Sequence, residues 1–186
     1  MSETSYLESE AIYDRVVEGG ILTAERSIWI ATANVKDLHL RRRGRSVSIV
    51  DVLGDRLARG LDIRLLHSGI PSGPFLEDLG RLELPAGCVF PMRRCPRVHF
   101  KAVIVDGAGM FVGSANLTGA GMGAKSAYRR NFEVGLWITD SDLVDRVQSL
   151  FNLIWEGEQC GPCGRRDVCY VPLEQPDGTS GCADEG

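Results

Sequence analysis

The chain is expected to fold as an α/β domain, a mixed and mostly buried β-sheet flanked by helices. Three observations predict it. Short runs rich in β-branched and aromatic residues alternate with stretches of helical periodicity, the pattern of a sheet covered by helices. Glycine, proline and aspartate punctuate nearly every change of period. With 186 residues, 44% of them hydrophobic and 25% charged, the chain has the size and composition of one globular domain rather than a disordered or fibrous one.

Each element follows in order. Residues 6–22 carry Ile12, Val16, Val17 and Ile21 along one side and predict an amphipathic helix. Ser27 to Val35 (SIWIATANV) predicts a buried strand, and residues 36–45 a polar loop. A second helix is predicted over 47–59, stopped by Gly60, then a strand over 61–67. A turn rich in glycine and proline leads to a short helix over 75–82 and a short strand over 88–92. Residues 98–105 predict a strand that pairs with 110–114 across Gly107-Ala108-Gly109. A glycine-rich loop over 119–123 precedes a strand at 132–139. Ser141 is the expected cap of a last helix whose inner face carries Leu143, Val147, Leu150, Phe151 and Ile154. Trp29, Trp137 and Trp155 fall on these elements and are expected in the core, and His67 is expected to be a structural residue at a strand end. The division is a catalytic domain over 1–156 and a cysteine-rich tail over 157–186.

The formal net charge of −4 hides a strong asymmetry. Residues 36–130 carry 16 basic and 8 acidic groups, net +8, between two acidic ends. All but Lys36, Lys101 and Lys125 of the 21 cations are arginines, whose planar fork of donors suits phosphate. Arg41, Arg42, Arg43 and Arg45 crowd into five positions, which favours a bound anion. With Arg93, Arg94, Arg129 and Arg130 they are the candidate substrate-binding residues. No apolar run approaches the roughly 20 residues needed to cross a bilayer, and the N-terminus lacks the basic start and apolar core of a secretory signal. Neither stable membrane insertion nor export is expected, and the expected location is cytoplasmic.

The chemistry concentrates in the middle. Alternation along 98–105 sets His99 and Lys101 on one face while Phe100, Ala102 and Ile104 point into the opposite apolar layer. Asp106 closes the strand, Gly113-Ser114-Ala115-Asn116 follows, and Glu133 opens a later strand. An imidazole can attack phosphorus while Lys101, Ser114 and Asn116 bind the phosphoryl oxygens, and Glu133 or Asp106 can fix the imidazole tautomer.

The whole string, His99-x-Lys101-x4-Asp106-x6-Gly113-Ser114-x-Asn116, resembles the HKD signature of the phospholipase D superfamily. Leu117-Thr118 and Asn131-Phe132-Glu133 resemble the pattern of its nuclease branches, and the resemblance covers most of residues 6–156. It implies a phosphodiesterase that forms a phosphohistidine on one histidine, protonates the leaving oxygen from another, and requires no catalytic metal. The family uses two such motifs per site. Neither His39 nor His67 begins a second one, so a two-fold homodimer with a shared site is expected. The expected substrate is nucleic acid, DNA before RNA. Phospholipid headgroup hydrolysis is the alternative, and a nucleic-acid-binding module the non-enzymatic one.

Two other motifs carry less. Gly119 to Ser126 (GAGMGAKS) lacks the second glycine of a phosphate loop, and Cys160-Gly161-Pro162-Cys163 lacks the strand and long helix of a thioredoxin site. Cys160, Cys163, Cys169 and Cys182 instead have the spacing of a tetrahedral thiolate site. A structural zinc is expected there, with an iron–sulfur cluster the alternative, and Cys88 or Cys95 can replace Cys182 as fourth ligand.

Overall fold

The computed structural model describes residues 2–42, 44–169 and 181–182. Its centre is a seven-stranded mixed sheet in the order β1-β10-β9-β8-β2-β5-β7. The strands are β1 (Thr4–Glu8), β2 (Ser27–Thr32), β5 (Asp62–His67), β7 (Met92–Arg94), β8 (Lys101–Val105), β9 (Gly109–Gly113) and β10 (Val134–Ile138). Two small sheets lie beside it, β3 (His39–Arg42) with β4 (Arg45–Ser48), and β6 (Cys88–Val89) with β11 (Gly181–Cys182). The expected α/β class, a mixed sheet flanked by helices, is what the chain adopts.

The middle strands are apolar because both of their faces are covered. Along β8, Ala102, Val103, Ile104 and Val105 are all buried. Val103 and Val105 join a core with Ile12, Val16, Val17 and Ile21 of the first helical segment (residues 10–21), with α2 (Ile49–Ala58), and with Phe75 of α3 (Gly73–Arg81). Ile104, with Phe100 packed beside it, faces a second core with Trp29, Phe151 and Trp155, covered by α4 (Ser141–Trp155). The alternation read along this strand is the one observed.

Several local expectations are corrected. The first segment begins as a strand: Thr4–Glu8 adds to the sheet edge beside β10, with Tyr6 opposite Leu136. Ser9 then turns at φ 50°, and α1 begins at Glu10–Ile12 and continues as a π-helical stretch over Tyr13–Ile21. The polar loop over 36–45 contains the first strand of the β3–β4 hairpin and its arginine-rich turn. Helix α4 is capped by Asp140, whose carboxylate accepts from the Leu143 N–H at 3.1 Å, and not by Ser141. Its buried stripe is Val144, Phe151 and Trp155, while Leu143 and Leu150 are exposed. The stacking of Phe151 between Trp29 (5.3 Å) and Trp155 (5.8 Å) selects that stripe. All three tryptophans are in the core as expected. Among the described residues no helix is long and apolar enough to cross a membrane.

Candidate active site

One end of the sheet gathers the chemistry, and register explains how. Leu7, Gly135, Gly113 and Lys101 face one another in successive strands. The next step sets Thr32 beside Lys101, and the row continues through His67 to Arg94. His99 lies two residues upstream of Lys101, exposed and just outside the strand. Ser114 and Asn116 follow Gly113, and Glu133 precedes β10, so all of them emerge at this end.

The row can close because two of its residues have no side chain. A Cβ on Gly113 would lie 2.5 Å from the Val134 carbonyl oxygen and 2.6 Å from the Phe111 ring. Glycine is therefore required where the three strands approach at the mouth of the site.

Hydrogen bonds fix the polar groups. Asn116 Oδ1 accepts from the backbone N–H groups of Ala33 (3.1 Å) and Asn34 (3.0 Å) and from Thr32 Oγ1 (3.3 Å). With its oxygen so engaged, the Asn116 side chain has its NH2 left as a donor. The Ser114 hydroxyl bonds to the Glu133 carboxylate, and Asn131 Nδ2 donates to the other Glu133 oxygen at 3.0 Å. Lys101 Nζ donates to the His99 carbonyl at 2.7 Å, which ties the cation to the histidine's own backbone.

Glu133 is thus held by Ser114 and Asn131. Two strand spacings, roughly 10 Å, separate its strand from that of His99 within one chain. Asp106 is misplaced in the sequence reading. It stands at the opposite end of β8, where its carboxylate accepts from the backbone N–H groups of Glu25, Arg26 and Ser27. Burial alone would raise its carboxyl, but these donors hold it below the ordinary range. Its φ of 56° suits the turn into β9. Asp106 organises the sheet and does not reach the imidazole.

The other two histidines are committed elsewhere. His67 is buried, with Nδ1 2.8 Å from the Gly69 carbonyl oxygen, and burial holds its imidazole below the ordinary 6.5. His39 lies between Asp37 (3.8 Å) and Asp78 (4.0 Å).

A cavity of about 260 Å³ adjoins the row and shares Asn116 with it. Lys36, Lys125, Asn34 and Asn131 also line it. Lys36 and Lys125 were not among the site residues read from the sequence, although a signal existed: the three lysines are Lys36, Lys101 and Lys125. Of the arginines, Arg129 and Arg45 are exposed. Arg130 is paired with Glu10 at 3.0 Å. Arg93 donates to the Trp155 carbonyl and lies over the Trp155 ring on the α4 side, so it is a structural clamp and not part of the row's substrate face. Arg94 ends the row, with Nε donating to the Ser68 carbonyl at 3.0 Å. Arg41 and Arg42 lie on β3 by backbone, and Arg43 falls outside the described residues.

The tail departs from its expected ligand set. Cys182 stands opposite Cys88 in the β6–β11 pair, and Cys88 is disulfide-bonded. That sheet adjoins Leu79, Leu82 and Phe90 of the α1–α3 core, whereas Cys160 packs on the α4 side. Cys95 is the cysteine that joins Cys160, Cys163 and Cys169.

Comparison with known proteins places this geometry. The family model described as "Cardiolipin synthase, PLD-like domain" matches residues 19–155. A cardiolipin synthase of Oceanobacillus iheyensis is 30% identical over 110 residues, which are 56% of this chain and 22% of that protein. The chain thus spans about a fifth of that relative's length. Among solved structures, NucT from Helicobacter pylori superposes with a TM-score of 0.54 at 16% identity, covering 82% of this chain and 94% of that one. Nuc from Salmonella typhimurium, titled a phospholipase D family member, gives 0.57 at 18%, covering 84% and 95%. Phosphatidylserine synthase of Haemophilus influenzae gives 0.59 at 15%, covering 80% of this chain and 36% of that one. At these identities the likeness is one of fold.

Proposed function

Because the chain belongs to the phospholipase D-like family, we propose that it is a phosphodiesterase that cleaves nucleic acid, DNA in the first place, at a site shared between two copies. The observation that carries this reading is the set His99, Lys101, Ser114, Asn116 and Glu133 at one end of the sheet, where His99 is the one exposed histidine among the described residues. The chain has three histidines: His67 lies on the row but is buried with Nδ1 against the Gly69 carbonyl, and His39 sits between Asp37 and Asp78.

The reaction needs two imidazoles. A nitrogen of one His99 attacks phosphorus, and a P–N bond forms as the bond to the leaving oxygen breaks. His99 of the partner subunit gives its proton to that oxygen. Water, deprotonated by the same imidazole, then attacks phosphorus, the P–N bond breaks, and the first histidine is released. Lys101 and the Asn116 amide neutralise and hold the non-bridging oxygens, and Ser114 with Glu133 fixes the neighbouring backbone. These groups supply the charge without a catalytic metal.

Nucleic acid is favoured by what surrounds the row. Lys36 and Lys125 line the adjoining cavity, and Arg129 is exposed beside Asn131. The arginine-rich β3–β4 hairpin follows directly from Lys36. A chain of phosphates can use such a strip, whereas one phosphodiester cannot. The phospholipid reading is favoured by the 30% identical cardiolipin synthase. TrmBL2, titled an archaeal chromatin protein with a novel mode of DNA binding, superposes with a TM-score of 0.51 and 16% identity. It motivates the binding-module alternative.

Labelled DNA, RNA and phosphatidyl lipids incubated with the purified chain in excess chelator test the proposal. Cleavage of DNA, lost in His99→Ala, is expected. Turnover of lipid alone would establish the second reading, and tight DNA binding without cleavage of any substrate the third.

A further inference from the structure

Four cysteines from two distant parts of the chain surround one cavity. Cys95 comes from the turn after β7, and Cys160, Cys163 and Cys169 from the segment that follows α4. The cavity holds about 210 Å³ and is also lined by Arg94, Arg97 and Arg165.

Backbone donors lie around two of these sulfurs. Burial holds the Cys95 thiol above its ordinary range, against the backbone N–H groups of Arg97 and Val98, two and three residues on, that face its sulfur. Cys163 Sγ accepts from the N–H of Arg165, again two residues on, and from the Arg97 side chain. Backbone N–H groups turned onto a cysteine sulfur stabilise a thiolate ligand and orient it. The Cys-x2-Cys segment closes as a turn, with the Cys163 N–H donating to the Cys160 carbonyl at 3.1 Å. Arg97 therefore links the two halves of the cluster.

Packing supplies the second argument. The segment after Trp155 is held to itself mainly by short turns, Cys160 to Gly157, Val168 to Arg165 and Cys169 to Arg166. Val168 is exposed, and the segment has little apolar side chain to bury. Such a segment orders when an ion cross-links it.

We propose that Cys95, Cys160, Cys163 and Cys169 form a structural zinc site joining the C-terminal segment to the turn that leads into His99. Zinc suits four thiolates in a tetrahedral, closed arrangement. The net charge of −2 on a zinc tetrathiolate is balanced by the arginines around it. As they stand, no three metal-ligating side chains among the described residues are gathered onto one point, so binding draws the sulfurs inward across the cavity. Cys182, expected from spacing alone, is replaced by Cys95.

The test is metal analysis of the full chain purified under reducing conditions. One zinc per chain is expected. It should be kept in Cys88→Ser and Cys182→Ser and lost in Cys95→Ser and Cys163→Ser. Cobalt added to chelator-stripped wild-type chain, which needs no variant to fold, should give the visible bands of a tetrahedral ion with thiolate charge transfer. X-ray absorption of the zinc form should show four sulfur neighbours at about 2.3 Å. A chain that takes up neither ion, zinc retained in Cys95→Ser, zinc lost in Cys182→Ser, or iron with sulfide in its place would each overturn the assignment.

Discussion

At the scale of single residues, chemistry and structure are divided between the two ends of one strand. His99 and Lys101 stand at the start of β8 and Asp106 beyond its end. The three form one sequence signature, yet only the first two reach the substrate side. Asp106→Ala removes a carboxylate that accepts three backbone N–H groups. We expect a loss of about 2 kcal/mol in urea unfolding, with kcat of the folded enzyme unchanged, whereas His99→Ala abolishes turnover without a stability cost. His67 gives a pH signature. Its imidazole is held below the 6.5 of a free histidine by burial, so below that value the unfolded chain binds a proton that the folded chain refuses. Stability is therefore expected to fall as pH drops from about 7 to about 5. The decline should flatten in His67→Gln, read from urea midpoints across the range. The site residues that were legible in the sequence are local ones, His99 to Asn116 within eighteen positions. Lys36 and Lys125 were not, because only tertiary packing brings them to one cavity.

At the scale of elements, the mouth of the site depends on strands that approach without side chains between them. Gly113→Ala sets a methyl group against the Val134 carbonyl and the Phe111 ring. A loss of about 1–3 kcal/mol in thermal or urea unfolding is expected, together with reduced turnover, since Ser114 is the next residue. We assign the β3–β4 hairpin to binding rather than chemistry. Arg45→Ala is expected to weaken DNA affinity uniformly across sequences and to reduce the slope of log affinity against log salt by about one, measured by fluorescence anisotropy, with kcat at saturating DNA retained. The sheet strands β2, β5, β8, β9 and β10 were legible because they are apolar runs between turns. Strand β1 was not: Tyr6 and Leu7 extend the helical periodicity of Ile12 to Ile21, and the break at Ser9 is a backbone turn without a glycine or proline to announce it. On α4 the expected Val147, Phe151 and Ile154 do pack on the core, whereas Leu143 and Leu150 do not. Leu143–Leu150 and Val144–Phe151 both have helical spacing, and the Trp29–Phe151–Trp155 stack decides between them.

At the scale of the whole molecule, the proposed mechanism asks the fold for half of a two-histidine site. The row to which we assign phosphate holding, Lys101, Asn116 and Ser114, adjoins a cavity lined by Lys36 and Lys125. The net charge of −4 averages a net +8 over residues 36–130 with two acidic ends, so it says little about the partner. In the proposed mechanism the second imidazole, which protonates the leaving group, comes from a second copy related by a two-fold axis. The most direct test is DNA cleavage by co-expressed mixtures of wild-type chain and His99→Ala chain, in known ratio and at constant total protein. With one site shared by two copies, only pairs of wild-type chains turn over, and activity is expected to fall as the square of the wild-type fraction. A fall in simple proportion to that fraction would show that each chain carries a complete site, and would contradict the shared two-histidine mechanism.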